Sequence, residues 1–159
     1  MSEGVKENKV DKEIRELLRP CLMLARRLYG IDPNLKVFAL PDEKRGACLM
    51  DVSDERLDEV ISKGGGTPGA WSSRPSLLIG KDMSVLEGDI PINMLSLAKE
   101  RRPWIDKLEI PEGCKVDGLH IHDWGSPAVH VHIKCDPKAY PKLADLISKA
   151  MEISRLMAG

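Results

Sequence analysis

The sequence predicts an α+β fold: one domain with a largely antiparallel sheet, helices packed on one face, and a C-terminal helix that follows a histidine-rich β-hairpin. Helical and strand-like segments mix without strict β-α-β alternation, which favours this class over a parallel α/β sheet. The chain has 159 residues, enough to bury one core. Residues 1–10 are predicted to form a flexible N-terminal tail and residues 11–159 the single domain.

Two helices and two strands are predicted in the first third of the domain. Residues 11–29 carry an apolar stripe at helical spacing, and Pro20 is expected to kink this helix or to begin a second one. The predicted elements that follow are strands over 34–40 and 46–52 and a helix from the N-cap Ser53 to Lys63.

A glycine-rich segment follows over 64–76, with the sequence GGGTPGAWSSRPS. It lacks the P-loop pattern, because Asp82 stands where Ser or Thr is needed. We interpret the segment as a surface loop, with a lid over a ligand or an anion cradle as the alternatives. The candidate ligand-binding residues in or beside it are Gly65, Gly66, Trp71 and Arg74.

The second half is predicted to begin with a short buried strand over 76–80 and an irregular stretch over 81–89. Pro91 is expected to open a helix that ends before Pro103. The remaining predicted elements are a strand over 107–110, the histidine hairpin, and a last helix from Pro141.

All four histidines of the chain lie between Leu119 and Cys135, in two His-x-His pairs that alternate with apolar residues. Such alternation on both sides of a short turn predicts a β-hairpin. An odd-length connection keeps every imidazole on one face and the apolar row on the other. In that register His122 faces Ala128 or His130, the apolar row faces the core, and the histidines lie on the open face.

Four imidazoles on one face predict a divalent transition-metal site formed by His120, His122, His130 and His132. Zn²⁺ is the preferred cofactor, with Ni, Cu or Fe as alternatives that imidazole also suits. Asp123, at the end of the hairpin, is the candidate general base or partner of a ligating histidine.

The segment His120-Ile121-His122-Asp123-Trp124-Gly125 resembles the His-x-His-Trp-Gly strand of α-type carbonic anhydrases, with Asp123 inserted. In that family two such histidines and a third from a neighbouring strand hold catalytic zinc. The likeness covers about half a dozen residues, so it implies an analogy of site geometry and transfers no residue roles.

Composition narrows the function classes. The formal net charge of −1 argues against a dedicated nucleic-acid binder. The N-terminus lacks the apolar core of a signal peptide, and no apolar run reaches the ~20 residues of a membrane helix. Cys21, Cys48, Cys114 and Cys135 show no paired spacing and are expected to be reduced thiols in a cytoplasmic protein that contacts neither membrane nor nucleic acid.

Two function classes remain open from the sequence. The first is a cytosolic metal-binding protein, such as a zinc-type hydrolase or lyase, or a structural or sensing site. The second is a non-enzymatic protein with a metal-free His face that binds a small-molecule ligand or forms a homodimer. A metal-free cleft that uses one histidine as acid or base, and a functionless polar row, are further alternatives.

Overall fold

The computed structural model describes residues 8–67, 73–93, 108–123 and 127–158. Its helices are α1 (Lys9–Ile31), α2 (Glu55–Lys63) and α3 (Leu143–Ala158), the last preceded by a 3-10 helix (Pro137–Lys142). Its strands are β1 (Leu35–Asp42), β2 (Ala47–Asp54), β3 (Ser76–Gly80), β4 (Val85–Asn93), β5 (Cys114–Asp123) and β6 (Pro127–Cys135). Residues 1–7 of the predicted tail lie outside these ranges, whereas Lys9 and Val10 are helical.

The six strands form one antiparallel sheet in the order β1-β2-β3-β4-β6-β5. Its core face carries alternate residues of every inner strand, which are buried under the helices: Met50, Val52, Leu77, Ile79, Ile90, Ile92, Val131 and Ile133. Helices α1 and α3 also pack against each other. The α+β prediction, with helices on one face and a C-terminal helix after the hairpin, is confirmed.

Helix α1 runs without interruption through Pro20, so Pro20 does not begin a second helix. Pro20 is buried, and its carbonyl accepts a hydrogen bond from the hydroxyl of Tyr140, 120 residues away. The ring of Tyr140 also lies under the guanidinium of Arg27, 5.1 Å from the ring centroid. These contacts tie the middle of α1 to the segment that leads into α3.

The second helix begins one residue later than the sequence predicts. Asp54, rather than Ser53, is its N-cap and accepts a hydrogen bond from the Arg56 N–H. The Asp54 carboxylate, with a fully buried side chain, also accepts hydrogen bonds from the guanidinium groups of Arg56 and Arg155. Arg56 in turn pairs with Asp32 at the end of α1, so one charged network joins all three helices.

The sequence prediction is most clearly wrong at strand β4. Residues 81–89 were expected to be irregular and Pro91 was expected to begin a helix. Pro91 instead lies inside the strand, beyond Asp89, where the pairing with β3 ends. Its missing N–H therefore leaves no gap in a ladder with β3. The carbonyl of Pro91 accepts from the Ser154 hydroxyl, whose oxygen accepts from the Asn93 N–H. Residues 94–107, which include the rest of that predicted helix, lie outside the described ranges, and 108–110 is not a strand.

The cysteines also differ from the prediction, since the structure contains the disulfides Cys21–Cys48 and Cys114–Cys135 instead of reduced thiols. The first joins α1 to β2 in the core and the second joins β5 to β6. Cysteines 27 and 21 residues apart have no recognisable spacing, so only the fold shows that they meet. Disulfides persist mainly in oxidising compartments, so the cysteines no longer support the predicted cytoplasmic location. That location stays a prediction.

Candidate functional site

Strands β5 and β6 form the predicted histidine hairpin in the predicted register. His120 lies opposite His130, and His122 lies opposite Ala128. Val131, between the two histidines of β6, is buried in the core, so the histidine row lies on the face opposite the helices. The alternation of polar and apolar residues therefore sets the register and separates the two faces, as the sequence predicts. The burial differs from the prediction, because Leu119 and Ile121 of β5 are 52% and 74% exposed whereas His130 is buried.

His130 is the most deeply buried histidine whose side chain is described, with 1% of its surface exposed. Its Nδ1 lies 2.8 Å and 2.9 Å from the two carboxylate oxygens of Asp89. Asp89 is on β4, the strand beside β6, and lies directly opposite His132. The carboxylate therefore holds the Nδ1–H form of His130 and fixes the orientation of its ring.

His120 and His132 form a second contact on the same face, with 3.2 Å between their Nε2 atoms. Their rings are stacked, with centroids 4.3 Å apart and planes inclined by 23°. The ring of His120 is also stacked on His130, with centroids 5.4 Å apart and planes inclined by 15°. We call Asp89, His120, His130 and His132 the histidine–carboxylate cluster.

The described residues contradict the predicted function of a metal-binding protein. No group of three or more His, Cys, Asp or Glu side chains within the described ranges is placed to hold a metal ion. The imidazole nitrogens are instead engaged with other protein groups: Nδ1 of His130 contacts Asp89, and the Nε2 atoms of His120 and His132 contact each other. The predicted ligands His120, His130 and His132 are therefore brought together without forming a metal centre. The side chain of the fourth predicted ligand, His122, lies outside the part of the chain that the structure describes.

A groove of about 440 Å³ lies beside the cluster on the open face of the sheet. Asp89 and His132 line it, and so does the ion pair in which Lys134 Nζ lies 3.6 Å from an Asp117 carboxylate oxygen. The apolar part of its wall comes from Leu49 and Leu78 on β2 and β3. The groove thus combines hydrogen-bonding groups at one side with an apolar surface at the other, as small-molecule sites do.

The other predicted site residues do not join this groove in the described part of the chain. The side chain of Asp123 and all of Trp71 lie outside it, so their predicted roles as general base and ligand contact stay predictions. Gly65 has a positive φ of 90° after α2, consistent with a turn. Gly65, Gly66 and Arg74 are described but are not among the residues that line the groove.

Asp89 is the functional candidate that the sequence analysis missed. A signal was present, because Gly88, Ile90 and Ile92 alternate with polar residues or proline at the period of a strand. Recognising β4 would have placed Asp89 on the face opposite Ile90. Only the sheet order, in which β6 and not β5 lies beside β4, brings Asp89 to His130.

The comparisons add no family to this description: no protein-family model, no curated protein and no solved structure matches the chain significantly. Among the described residues, no helix has the length and apolar character needed to cross a membrane.

Proposed function

We propose that this protein binds a small molecule in the groove on the open sheet face and exchanges a proton with it through His132, without a metal ion. The observation that carries the proposal is the 3.2 Å contact between Nε2 of His132 and Nε2 of His120 on a groove wall. At that distance one Nε2 bears a hydrogen and the other accepts it. The pair therefore shares a proton, and a polar ligand group at His132 competes for it.

Asp89 supports this role from inside the cluster. It fixes the tautomer and ring plane of His130, on which the ring of His120 stacks. His120 in turn contacts His132. Asp89 is therefore a positioning residue for the proton-sharing pair, and it also lines the groove.

The lining indicates the kind of ligand. Glu87, Asp89, Asp117, His132 and Lys134 offer hydrogen-bond partners, while Leu49 and Leu78 offer an apolar surface. A small ligand with one polar end and a short apolar body satisfies both parts.

Side-chain ¹⁵N spectra of the imidazoles test the proposal during addition of acetate, ethylamine and acetamide, which represent anionic, cationic and neutral polar groups. We expect at least one probe to shift the Nε2 signals of His132 and His120, and the effect to disappear in His132→Ala. The control is Asp145→Asn, which lies in a different groove. If all three probes leave both signals unchanged, the proposal is wrong.

A second candidate function, assembly into a homodimer, is favoured by an exposed apolar row on the same face. Phe38 and Leu40 of β1 are 62% and 65% exposed, next to Leu49 of β2. Lys36 and Asp42 lie at the two ends of this row. When two β1 strands lie antiparallel, Lys36 faces the partner's Asp42 and Phe38 faces the partner's Leu40, which is a self-complementary arrangement.

Side chains, rather than an extended ladder, would hold such a dimer. The Val37 N–H already donates to the Tyr29 hydroxyl, at 3.1 Å, and Pro41 has no N–H. Sedimentation over a range of concentrations tests this candidate. We expect a dimer that Phe38→Ser weakens and that Leu22→Ser, on the exposed side of α1, does not. A wild-type monomer throughout would exclude it.

A further inference from the structure

The two disulfides differ in position, and the difference concerns the histidine–carboxylate cluster. Cys21 and Cys48 are both completely buried in the core. Cys114 is only partly buried and begins β5, the last strand of the sheet, where it lies opposite Cys135. Cys135 is also buried, at 6% exposed, so Cys114 is the one partly exposed member of the two disulfides and makes the second the less protected of them.

The disulfide is placed where the two strands come closest. The Asp136 N–H donates to the Gly113 carbonyl at 2.8 Å, which makes this a hydrogen-bonded pair of the hairpin. The next pair, Cys114 and Cys135, is then of the non-hydrogen-bonded type, in which opposed side chains are nearest. The bond thus joins the first residue of β5 directly to the last residue of β6.

Strand β5 lies at one end of the sheet order. Among the described strands it pairs with β6, and Asp117 forms a bulge that interrupts this pairing. Its core-side residues are poorly buried, with Val116 46%, Leu119 52% and Ile121 74% exposed. Little apolar burial therefore opposes the separation of this strand from the sheet.

The cluster depends on this strand, because His120 is on β5 whereas His130 and His132 are on β6. Separation of β5 removes both the stacking of His120 on His130 and the contact between the Nε2 atoms of His120 and His132. The Asp89–His130 contact joins β4 to β6 and does not require β5.

We propose that the Cys114–Cys135 disulfide is a redox latch: its reduction by a dithiol releases β5 and dismantles the His120–His132 pair, while Asp89 keeps its contact with His130. One thiolate of the dithiol attacks Sγ of Cys114, and Cys135 leaves as a thiolate. The second thiol of the reductant then attacks its own sulfur in the mixed disulfide and releases Cys114. The dithiol loses two electrons and becomes a disulfide, and its two protons end on the two cysteines.

Graded reduction of the native protein with dithiothreitol, followed by alkylation and mass spectrometry, tests accessibility. We expect Cys114 and Cys135 to be labelled faster than Cys21 and Cys48 by about tenfold or more. The reason is that Cys114 is partly exposed in the folded protein, whereas Cys21 and Cys48 are both completely buried. The Cys21–Cys48 pair is the internal control. Equal labelling rates for the two pairs would overturn the proposal.

Side-chain ¹⁵N spectra of the reduced protein test the consequence for the cluster. We expect the signals of His120 and His132 to change and the amides of β5 to exchange faster, while the His130 Nδ1–H signal persists. The double variant Cys114→Ser, Cys135→Ser should show the same changes without reductant. If that variant does not fold, the reduced wild-type protein alone provides the measurement. Unchanged histidine signals after complete reduction of this disulfide would contradict the latch.

The latch rests on the proposed function only for its effect on ligand binding. If the oxidised protein binds none of the three probes but β5 still separates on reduction, the proposed function fails and the latch stands. If the probes bind equally well before and after reduction, the groove function stands and the latch does not control it.

Discussion

The carboxylate of Asp89 holds Nδ1 of His130 from a neighbouring strand, with distances of 2.8 Å and 2.9 Å, and the imidazole is buried although it faces away from the helices. Its loss therefore removes a packed ring and leaves a carboxylate without its partner. This relationship makes His130 important for both the cluster and stability.

His130→Ala is accordingly expected to lower the free energy of unfolding by about 2–4 kcal/mol. Val131→Ala removes buried methyl groups from the core, and about 1–3 kcal/mol is expected for it. Urea denaturation of both variants measures the order. Lys134→Ala, exposed on the same strand, is the control and should change stability by less than about 0.5 kcal/mol. A His130→Ala loss no larger than that of the control would contradict the structural role of His130.

The sequence predicted the hairpin well because the period of its apolar residues is a local property. Val131 and His130 had to point to opposite faces, whatever the rest of the fold, and they do. The strand β4 was missed because Pro91 is compatible with the first turn of a helix. Only the sheet order shows that Pro91 lies beyond the pairing with β3, where a strand tolerates proline.

The prediction of a metal site was wrong for a related reason. Alternation places His120, His130 and His132 on one face, but it does not determine the torsion angles that orient their rings. Those are set by stacking and by Asp89, which is 41 residues from His130 in the chain. The disulfide partners of Cys21 and Cys114 were likewise fixed by contacts between distant segments, for which one sequence contains no signal.

Gly88 is expected to tolerate no side chain. A Cβ at this position would lie 2.6 Å from Cγ1 of Ile133 and 2.9 Å from Cδ2 of Leu77, inside the core. Gly88→Ala should therefore lower the free energy of unfolding by about 1–3 kcal/mol through overpacking. Gly118→Ala is the matched control, because its Cβ would lie 3.8 Å from Cβ of His132, an ordinary contact. Thermal melts compare the two variants. Equal melting temperatures would show that the side chains around Gly88 adjust to an added methyl group without loss of stability.

Asp54 should be among the most sensitive charged residues of the described chain. Its buried carboxylate caps α2 and pairs with the guanidinium groups of Arg56 and Arg155. Asp54→Ala therefore removes the N-cap and the anion that Arg155 contacts, while Arg56 keeps its contact with Asp32. We expect a loss of about 2–4 kcal/mol in urea denaturation. Glu59→Ala, which breaks an exposed pair with Lys63 on the same helix, should cost less than about 0.5 kcal/mol. Similar losses for both variants would mean that the network contributes little.

Asp32 is expected to contribute to the loss of stability in acid. Burial raises the pKa of its carboxyl, but hydrogen bonds from the Arg56 side chain and the Asn34 N–H, together with the charge of Arg56, hold the pKa below its ordinary value. A group whose folded pKa is lowered stabilises the fold above its unfolded pKa, about 3.9 for Asp. That stabilisation is lost as the pH falls through the lower, folded value.

Asp32→Asn removes this titration, so its deficit in unfolding free energy relative to wild type should be constant near neutral pH and shrink as the pH falls below about 4. Urea denaturation of both proteins at a series of pH values measures the difference directly. The free energy of unfolding of Asp32→Asn must fall less steeply than that of the wild type as the pH is lowered. A deficit that stays constant to the lowest pH, or grows there, would show that Arg56 does not stabilise the charged form of Asp32.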